Sequence, residues 1–331
     1  MKYTGLFATA LLLIASLSWS GTASAAACSS QNYELYTQAE VDALGATGCN
    51  GVSGYLYIAN NTDITNLDGL ANITSVGGIL YIAGNAALTD LNGLGNLTSV
   101  VGELIIQDNA VLTNIDGLAN LVSAGDTLYI YQNDALANLN GLGNLTSVGG
   151  SLNIQANAVL TNIDGLANLA SVGDTLYISQ NDALINLDGL ASLTGSIATN
   201  LYIADNDVLT NLDGFANISS VGGYLYISNN DALTNLDGLA NLTSVGDYLR
   251  IYDNAALTNL DGLVNLTSVG GDLVLDANDQ ASCEGVAELL GWPDGPPGDT
   301  VDGDIDIGNN DAGCDSISEI LEYQGLLSRL S

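Results

Sequence analysis

Between residues 220 and 267 the chain writes one phrase twice. SVGGYLYISNNDALTNLDGLANLT is followed at once by SVGDYLRIYDNAALTNLDGLVNLT. Aligned on L-x-I-x-x-N, such segments start near Val52, Ser75, Ser99, Ser123, Ser147, Ser171, Gly195, Ser220, Ser244 and Ser268. The period is 24, with one extra residue in the segment that starts at Gly195. A fixed period of this size marks a solenoid, in which each unit buries its apolar side only against the next.

The spacing inside a unit sets the class of solenoid. In the first unit the apolar or special residues are Leu56, Ile58, Asn61, Ile64, Leu67, Leu70, Ile73 and Val76, and Leu80 opens the next. The step of two between Leu56 and Ile58 is a strand. The steps of three that follow suit short extended pieces joined by bends, and no 3.6-residue helical period is sustained. Gly69, Gly77 and Gly78 are expected to supply positive φ at the bends. Each unit is then one coil, its L-x-I stacked on the L-x-I of the next. The fold predicted is an all-β solenoid: a right-handed parallel β-helix, leucine-rich-repeat-like, of about eleven coils of 24 residues with short helical caps.

One slot holds the same residue throughout: Asn61, Asn85, Asn109, Asn133, Asn157, Asn181, Asn206, Asn230, Asn254, Asn278 and, in a last coil, Asn310. An amide buried at a bend can satisfy backbone groups of its own and neighbouring coils. These asparagines are therefore expected to be structural, at about 1–3 kcal/mol each.

The ends differ from the repeat. Lys2, the apolar LFATALLLIASLSW and the small residues SGTASAAA read as a secretory signal peptide over 1–25, with cleavage after Ala25 or Ala27. A cap follows over 28–51, where TQAEVDALGATGC is a short amphipathic helix; the solenoid takes 52–278 and a C-terminal cap 279–331. In that cap VDGDIDIGNN (301–310) repeats VGGDLVLDAN (269–278). An insertion before it carries a short helix CEGVAELLGW and the turn PDGPPGD, and SISEILEYQGLLSRL (316–330) is a last helix. Cys28, Cys49, Cys283 and Cys314 lie as two close pairs, which points to the disulfides 28–49 and 283–314. The rival reading makes Cys28 a lipid-anchor site. No later apolar run is long enough to span a bilayer, so the chain is expected to be secreted or held at the cell surface.

The cap helix with its Cys, S-V-G-G-x-L-x-I-x-x-N and LTNLDGLANLT together resemble the receptor L-domain family over about residues 37–315. That resemblance implies a leucine-rich-repeat-like right-handed β-helix. It also implies a protein of the secreted bacterial or fungal surface type that binds proteins or sits in an envelope. The repeats are more numerous and more uniform than in one receptor L domain, and growth-factor binding is not carried over.

Charge narrows the partners. Three Lys and Arg stand against 37 Asp and Glu, and the net charge is -34. Phosphate backbones and anionic lipids are repelled, which excludes nucleic acid. Without His, and with its cysteines paired, the chain offers little for catalysis.

Tyrosine is the functional signal. The middle residue of L-x-I points outward and is Tyr57, Tyr81, Ile105, Tyr129, Asn153, Tyr177, Tyr202, Tyr226 and Arg250 in turn; Tyr55, Tyr131, Tyr224, Tyr248 and Tyr252 flank it. Rigid phenols suit a binding face, although they also stabilise strands by stacking. Tyr177, Tyr202, Tyr224, Tyr226, Tyr248, Arg250 and Tyr252 form the candidate contact patch for a protein or glycan. Asp68, Asp116, Asp164, Asp188, Asp213, Asp237 and Asp261 share a slot before Gly, where the plain reading is turn chemistry. Like charges one rung apart repel by about 1 kcal/mol even in water, which bound Ca2+ would relieve. Asp302, Asp304 and Asp306 are the metal candidates, and no other cofactor is expected. Three functions remain open: recognition or adhesion, a structural envelope spacer, and an enzyme acting on polysaccharide.

Overall fold

A computed structural model describes residues 28, 32–278, 281–287, 289–290, 300–310 and 314–322. The signal peptide, the turn PDGPPGD and the end of the last helix lie outside the described residues.

The L-x-I segments form one parallel sheet of twelve strands, and the chain winds through it as a right-handed β-helix. Its strands are β1 (Tyr33–Leu35), β2 (Leu56–Asn61), β3 (Leu80–Asn85), β4 (Leu104–Gln107), β5 (Leu128–Tyr131) and β6 (Leu152–Gln155). They continue as β7 (Leu176–Ser179), β8 (Leu201–Ala204), β9 (Leu225–Ser228), β10 (Leu249–Tyr252), β11 (Leu273–Asp276) and β12 (Ile305–Gly308). Pairing is in strict repeat register, with Leu152 beside Leu176 and Ile154 beside Ile178. Because strand side chains alternate, this register puts the Leu and Ile of L-x-I on β2 to β11 in the core, leaves Ile305 and Ile307 of the last strand half-buried, and turns the middle residues outward. A second face carries the Ser-Val pairs. It divides into sheets of six and four strands at the coil with the extra residue, where the register shifts between Gly195 and Ser196.

The steps of three have a different cause from the one expected. Leu70 N–H donates to Leu67 O and Ile73 N–H to Leu70 O, each at 2.8 Å, so the segment is linked i→i+3 turns around the 3-10 helix Asp68–Leu70. A 3-10 helix has three residues per turn, and its period is the spacing of the buried leucines. In the inserted region the described residues show one such turn, Glu284–Val286, where a longer helix was expected. Gly285 there stacks over Leu260 as its counterparts do in other coils, so the insertion completes a coil.

Positive φ also falls elsewhere than expected. Gly69, Gly77 and Gly78 are not left-handed. Apart from Gly48 and Gly195, the left-handed residues come just before the ladder asparagines: Asn60, Asp108, Gln132, Ala156, Gln180, Asp205, Asn229, Asp253, Ala277 and Asn309, with φ from 51° to 57°, and Gly84. This bend takes the chain from the strand and turns the next side chain inward. Glycine is needed for room instead. A Cβ on Gly69 would lie 2.4 Å from Val41 O, and one on Gly77 2.3 Å from Ser53 O.

The asparagines are buried, Asn61 at 4 % exposure and Asn85 to Asn278 at 0 %. From Asn85 to Asn278 each Nδ2 donates to the Oδ1 of the Asn one coil on, at 3.1–3.4 Å. It also donates one coil back to the strand Ile carbonyl, as from Asn85 to Ile58 O at 2.8 Å. The same Oδ1 takes a backbone N–H, as Asn109 Oδ1 does from Asn85. Asn61 breaks the pattern: its Oδ1 accepts from Asp63 and Ile64 N–H, and its Nδ2 has no partner.

Helix α1 (Gln38–Ala46), capped by Thr37, closes one end by packing on the 3-10 helix of the first coil. Residues 317–322 are helical at the other end, with Ile320 buried. Disulfides join Cys28 to Cys49 and Cys283 to Cys314, with Cα separations of 5.0 and 5.4 Å. The first uses the thiol that a lipid anchor at Cys28 would need. No helix among the described residues is long and apolar enough to cross a membrane.

Candidate functional site

The register that buries L-x-I builds an outer wall from what remains. Along the middle column Tyr57 pairs with Tyr81, Tyr81 with Ile105, Ile105 with Tyr129 and Asn153 with Tyr177; Tyr177, Tyr202, Tyr226 and Arg250 then follow on successive strands. All eleven wall tyrosines are half-buried. Small residues in the flanking column, Ala204 and Ser228 among them, are covered and leave space for the rings.

The structure gathers the predicted patch on β7 to β10. Tyr177 and Tyr202 stack at 4.2 Å with planes 3° apart, and Tyr202 and Tyr226 at 4.4 Å and 8°. Beside them Tyr224 and Tyr248 stack at 4.8 Å and 3°. Tyr252 meets Tyr226 edge-on at 5.3 Å, and their hydroxyls are hydrogen-bonded. The Arg250 guanidinium lies 4.5 Å from the centre of the Tyr248 ring and 3.6 Å from Asp272. It is the single described cation in an acidic protein, held by a ring face and a carboxylate.

Burial, then the neighbouring phenols Tyr177 and Tyr226, raise the Tyr202 pKa well above the usual tyrosine range. Tyr252 is pushed up to about 12, by burial first and then by its hydrogen bond to Tyr226. Tyr224 and Tyr248 are raised by burial as well. These phenols keep their protons at neutral pH and remain uncharged hydrogen-bonding groups. Stacked rings turn their faces to each other, so an incoming molecule meets ring edges and hydroxyls on a stiff strip. That surface can bury area and exchange hydrogen bonds, but it offers few open ring faces for a sugar to lie on.

A second aromatic cluster escaped the sequence reading in part, because two of its members lie outside the repeat. Strand β1 pairs with β2, setting Glu34 beside Tyr57. Glu34, Tyr36, Tyr55, Tyr57, Ala59, Asn60 and Tyr81 line a groove of about 520 Å³. Tyr55 and Tyr36 donate to the two Glu34 oxygens at 2.9 and 3.0 Å. That bond is the main reason the Tyr55 pKa is raised, whereas burial leads at Tyr36. The signal in the sequence was the apolar–polar–apolar Tyr33-Glu34-Leu35, an L-x-I analogue ahead of the cap helix.

The remaining candidates lie apart from both clusters. The Asp68-type residues open the 3-10 turns, but the turn bond is made two residues earlier: Asn66 Oδ1 accepts from Asp68 N–H, and Asn235 Oδ1 from Asp237 N–H. Asp302, Asp304 and Asp306 are exposed, with Asp304 N–H donating to Asp272. Among the described residues no group of three or more His, Cys, Asp or Glu is placed to hold a metal ion.

The model of the receptor L domain family matches residues 48–124, from Gly48 through the second-face strand Ser123–Ala124. Residues 48–124 are similar to the receptor L domain family. No curated protein matches the chain. A receptor L domain is an extracellular ligand-binding domain, and the disulfides at both ends accord with that setting. The matched segment includes Tyr55, Tyr57 and Tyr81. The coils that carry Tyr177 to Tyr252 follow it in the same register.

Proposed function

We propose that this is a recognition or adhesion protein, non-enzymatic and working outside the cell, which docks a protein partner through the tyrosine strip on β7 to β10. The carrying observation is the alignment of six phenols and one guanidinium along one parallel sheet, with their rings packed against one another. Such a surface loses little side-chain entropy on binding, and aromatic and Arg side chains are the groups that dominate interface energetics. Closed ring faces favour a protein over a glycan.

Protein and glycan arrays probed with the exported chain, and with a variant carrying Tyr224→Ser, Tyr226→Ser, Tyr248→Ser and Tyr252→Ser, test the proposal. The expected result is protein capture that falls by at least about 100-fold in the variant, four truncated contacts at roughly 1 kcal/mol each being more than enough. The Tyr positions are half-buried and outside the core, so the variant keeps its disulfides and sheet. Unchanged capture by a folded variant would remove the strip from the site. The spacer reading draws on the same ring stacking, since phenols that grip each other also brace adjacent coils; it predicts a lower melting temperature in the variant and no capture by either form.

A further inference from the structure

We propose that the groove at the N-terminal end of the wall is a separate binding site for an alkylammonium cation, held by the faces of Tyr55, Tyr57 and Tyr81 and by the Glu34 carboxylate. The rings here are arranged unlike those of the docking strip. Tyr55 and Tyr57 meet at 75°, and Tyr57 and Tyr81 at 49°. Rings set at such angles are not stacked face on face, so their faces are not paired off against each other and can be presented to the groove they line. In the strip Tyr177, Tyr202 and Tyr226, and beside them Tyr224 and Tyr248, stack at 3° to 8° and shut their shared faces, and only Tyr252 stands edge-on, to Tyr226.

Charge selects the occupant. Glu34 accepts hydrogen bonds from two phenols and has no basic partner among the described residues, where the one ion pair is Arg250 with Asp272. The surrounding chain carries -34. A carboxylate beside open aromatic faces is the chemistry that recognises a soft organic cation, because the ring quadrupole and the anion act in the same sense. A hard metal ion is not served, since it needs several oxygen ligands where the rings supply none. Both Glu34 oxygens are also fixed by the phenols, so the charge is positioned before anything arrives. None of the strip residues lines this groove, and the site stands or falls independently of the docking face.

The test is a titration of the disulfide-intact protein followed by tyrosine ring NMR, with three probes. They are choline, N-acetyl-lysine methylamide, and 3,3-dimethylbutan-1-ol, the uncharged analogue of choline. The expected result is millimolar or tighter binding of at least one cation, on the order of the sum of a few exposed cation–π contacts and one charge pair. The neutral alcohol is expected to bind at least about tenfold more weakly. Choline as the better ligand assigns a free or headgroup quaternary ammonium, and the lysine amide as the better ligand assigns a partner's side chain. Glu34→Gln should weaken the cation about tenfold without changing the melting temperature. Tyr57→Phe should retain binding and Tyr57→Ser should lose it. Equal affinity for the alcohol, an unaffected Glu34→Gln protein, or no shift of these rings by roughly 100 mM cation would overturn the proposal.

Discussion

Gly165→Ala is expected to prevent stable folding, although it adds a single methyl to a chain rich in alanine at neighbouring positions. Gly165 sits in the 3-10 turn Asp164–Leu166, and a Cβ built on it lies 1.8 Å from Leu139 O and 2.3 Å from Leu139 C, one coil back. Both atoms are backbone, so no side chain can swing aside. Relief requires prising two coils apart by more than an ångström, against rungs that the sheet fixes about 4.8 Å apart. The same contact recurs at Gly93, Gly117, Gly141, Gly189, Gly214, Gly238 and Gly262, at 1.7–2.0 Å. We expect a loss of at least about 3 kcal/mol, in the range of severe overpacking, seen as a collapse of the urea midpoint or of soluble yield. Gly143→Ala is the control. Gly143 has φ -59° and its Cβ would be 3.4 Å from Asn140 O, and the slot is already Ala at Ala71, Ala119 and Ala167. It should be neutral or stabilising by about 0.4–1 kcal/mol.

The asparagine ladder gives the second large effect, and its sign depends on position. Asn157→Asp keeps the shape and the ability to accept from Asn133. It cannot donate, and it sets a carboxylate oxygen about 3 Å from Ile130 O, Gln155 O and Asn181 Oδ1, at a site with 0 % exposure. An uncompensated buried charge costs about 3–5 kcal/mol. At Asn61 the amide only accepts, from Asp63 and Ile64, and Nδ2 donates to nothing. Asn61→Asp should therefore cost at least about 2 kcal/mol less. In the Asn157→Asp protein, burial raises the folded pKa of the introduced carboxyl above its unfolded value near 4. The stability it permits is full below that value and is lost as pH rises through the folded pKa. Urea melts at pH 3.5 and 7 should show the Asn157→Asp deficit shrinking in acid. A deficit equal at both sites and both pH values would mean that the ladder is not a directional donor chain.

Much of this was legible because a repeat prints its constraints once per coil. The L-x-I step of two and the invariant Asn fixed inside and outside, and the position of each tyrosine followed from that alternation. What stayed hidden is what the repeat does not print. The left-handed bend residue is Asn, Asp, Gln, Ala or Gly in different coils, since the backbone needs only the bend; variation masked the position, and the constant glycines drew the assignment instead. Their constancy reflects the carbonyl of the coil below, a contact that one-dimensional spacing does not contain. Steps of three looked extended because a 3-10 turn and a bent strand share that number. The Asp before Gly looked like the turn-former, while Asn66 and its equivalents make the bond. Strand β1 occurs once, outside the array, and it carries Glu34, the residue that distinguishes the groove from the rest of the wall.

Hydroxyl-radical footprinting of the eleven wall tyrosines, with and without a captured protein partner, tests the docking face most directly. The prediction is that Tyr224, Tyr226, Tyr248 and Tyr252 lose most of their reactivity in the complex, with Tyr177 and Tyr202 following, while Tyr129 and Tyr131 stay as reactive as in the free protein. Protection that spares those four and falls on the Ser-Val face or the 3-10 turns would show that the partner engages another side of the coil.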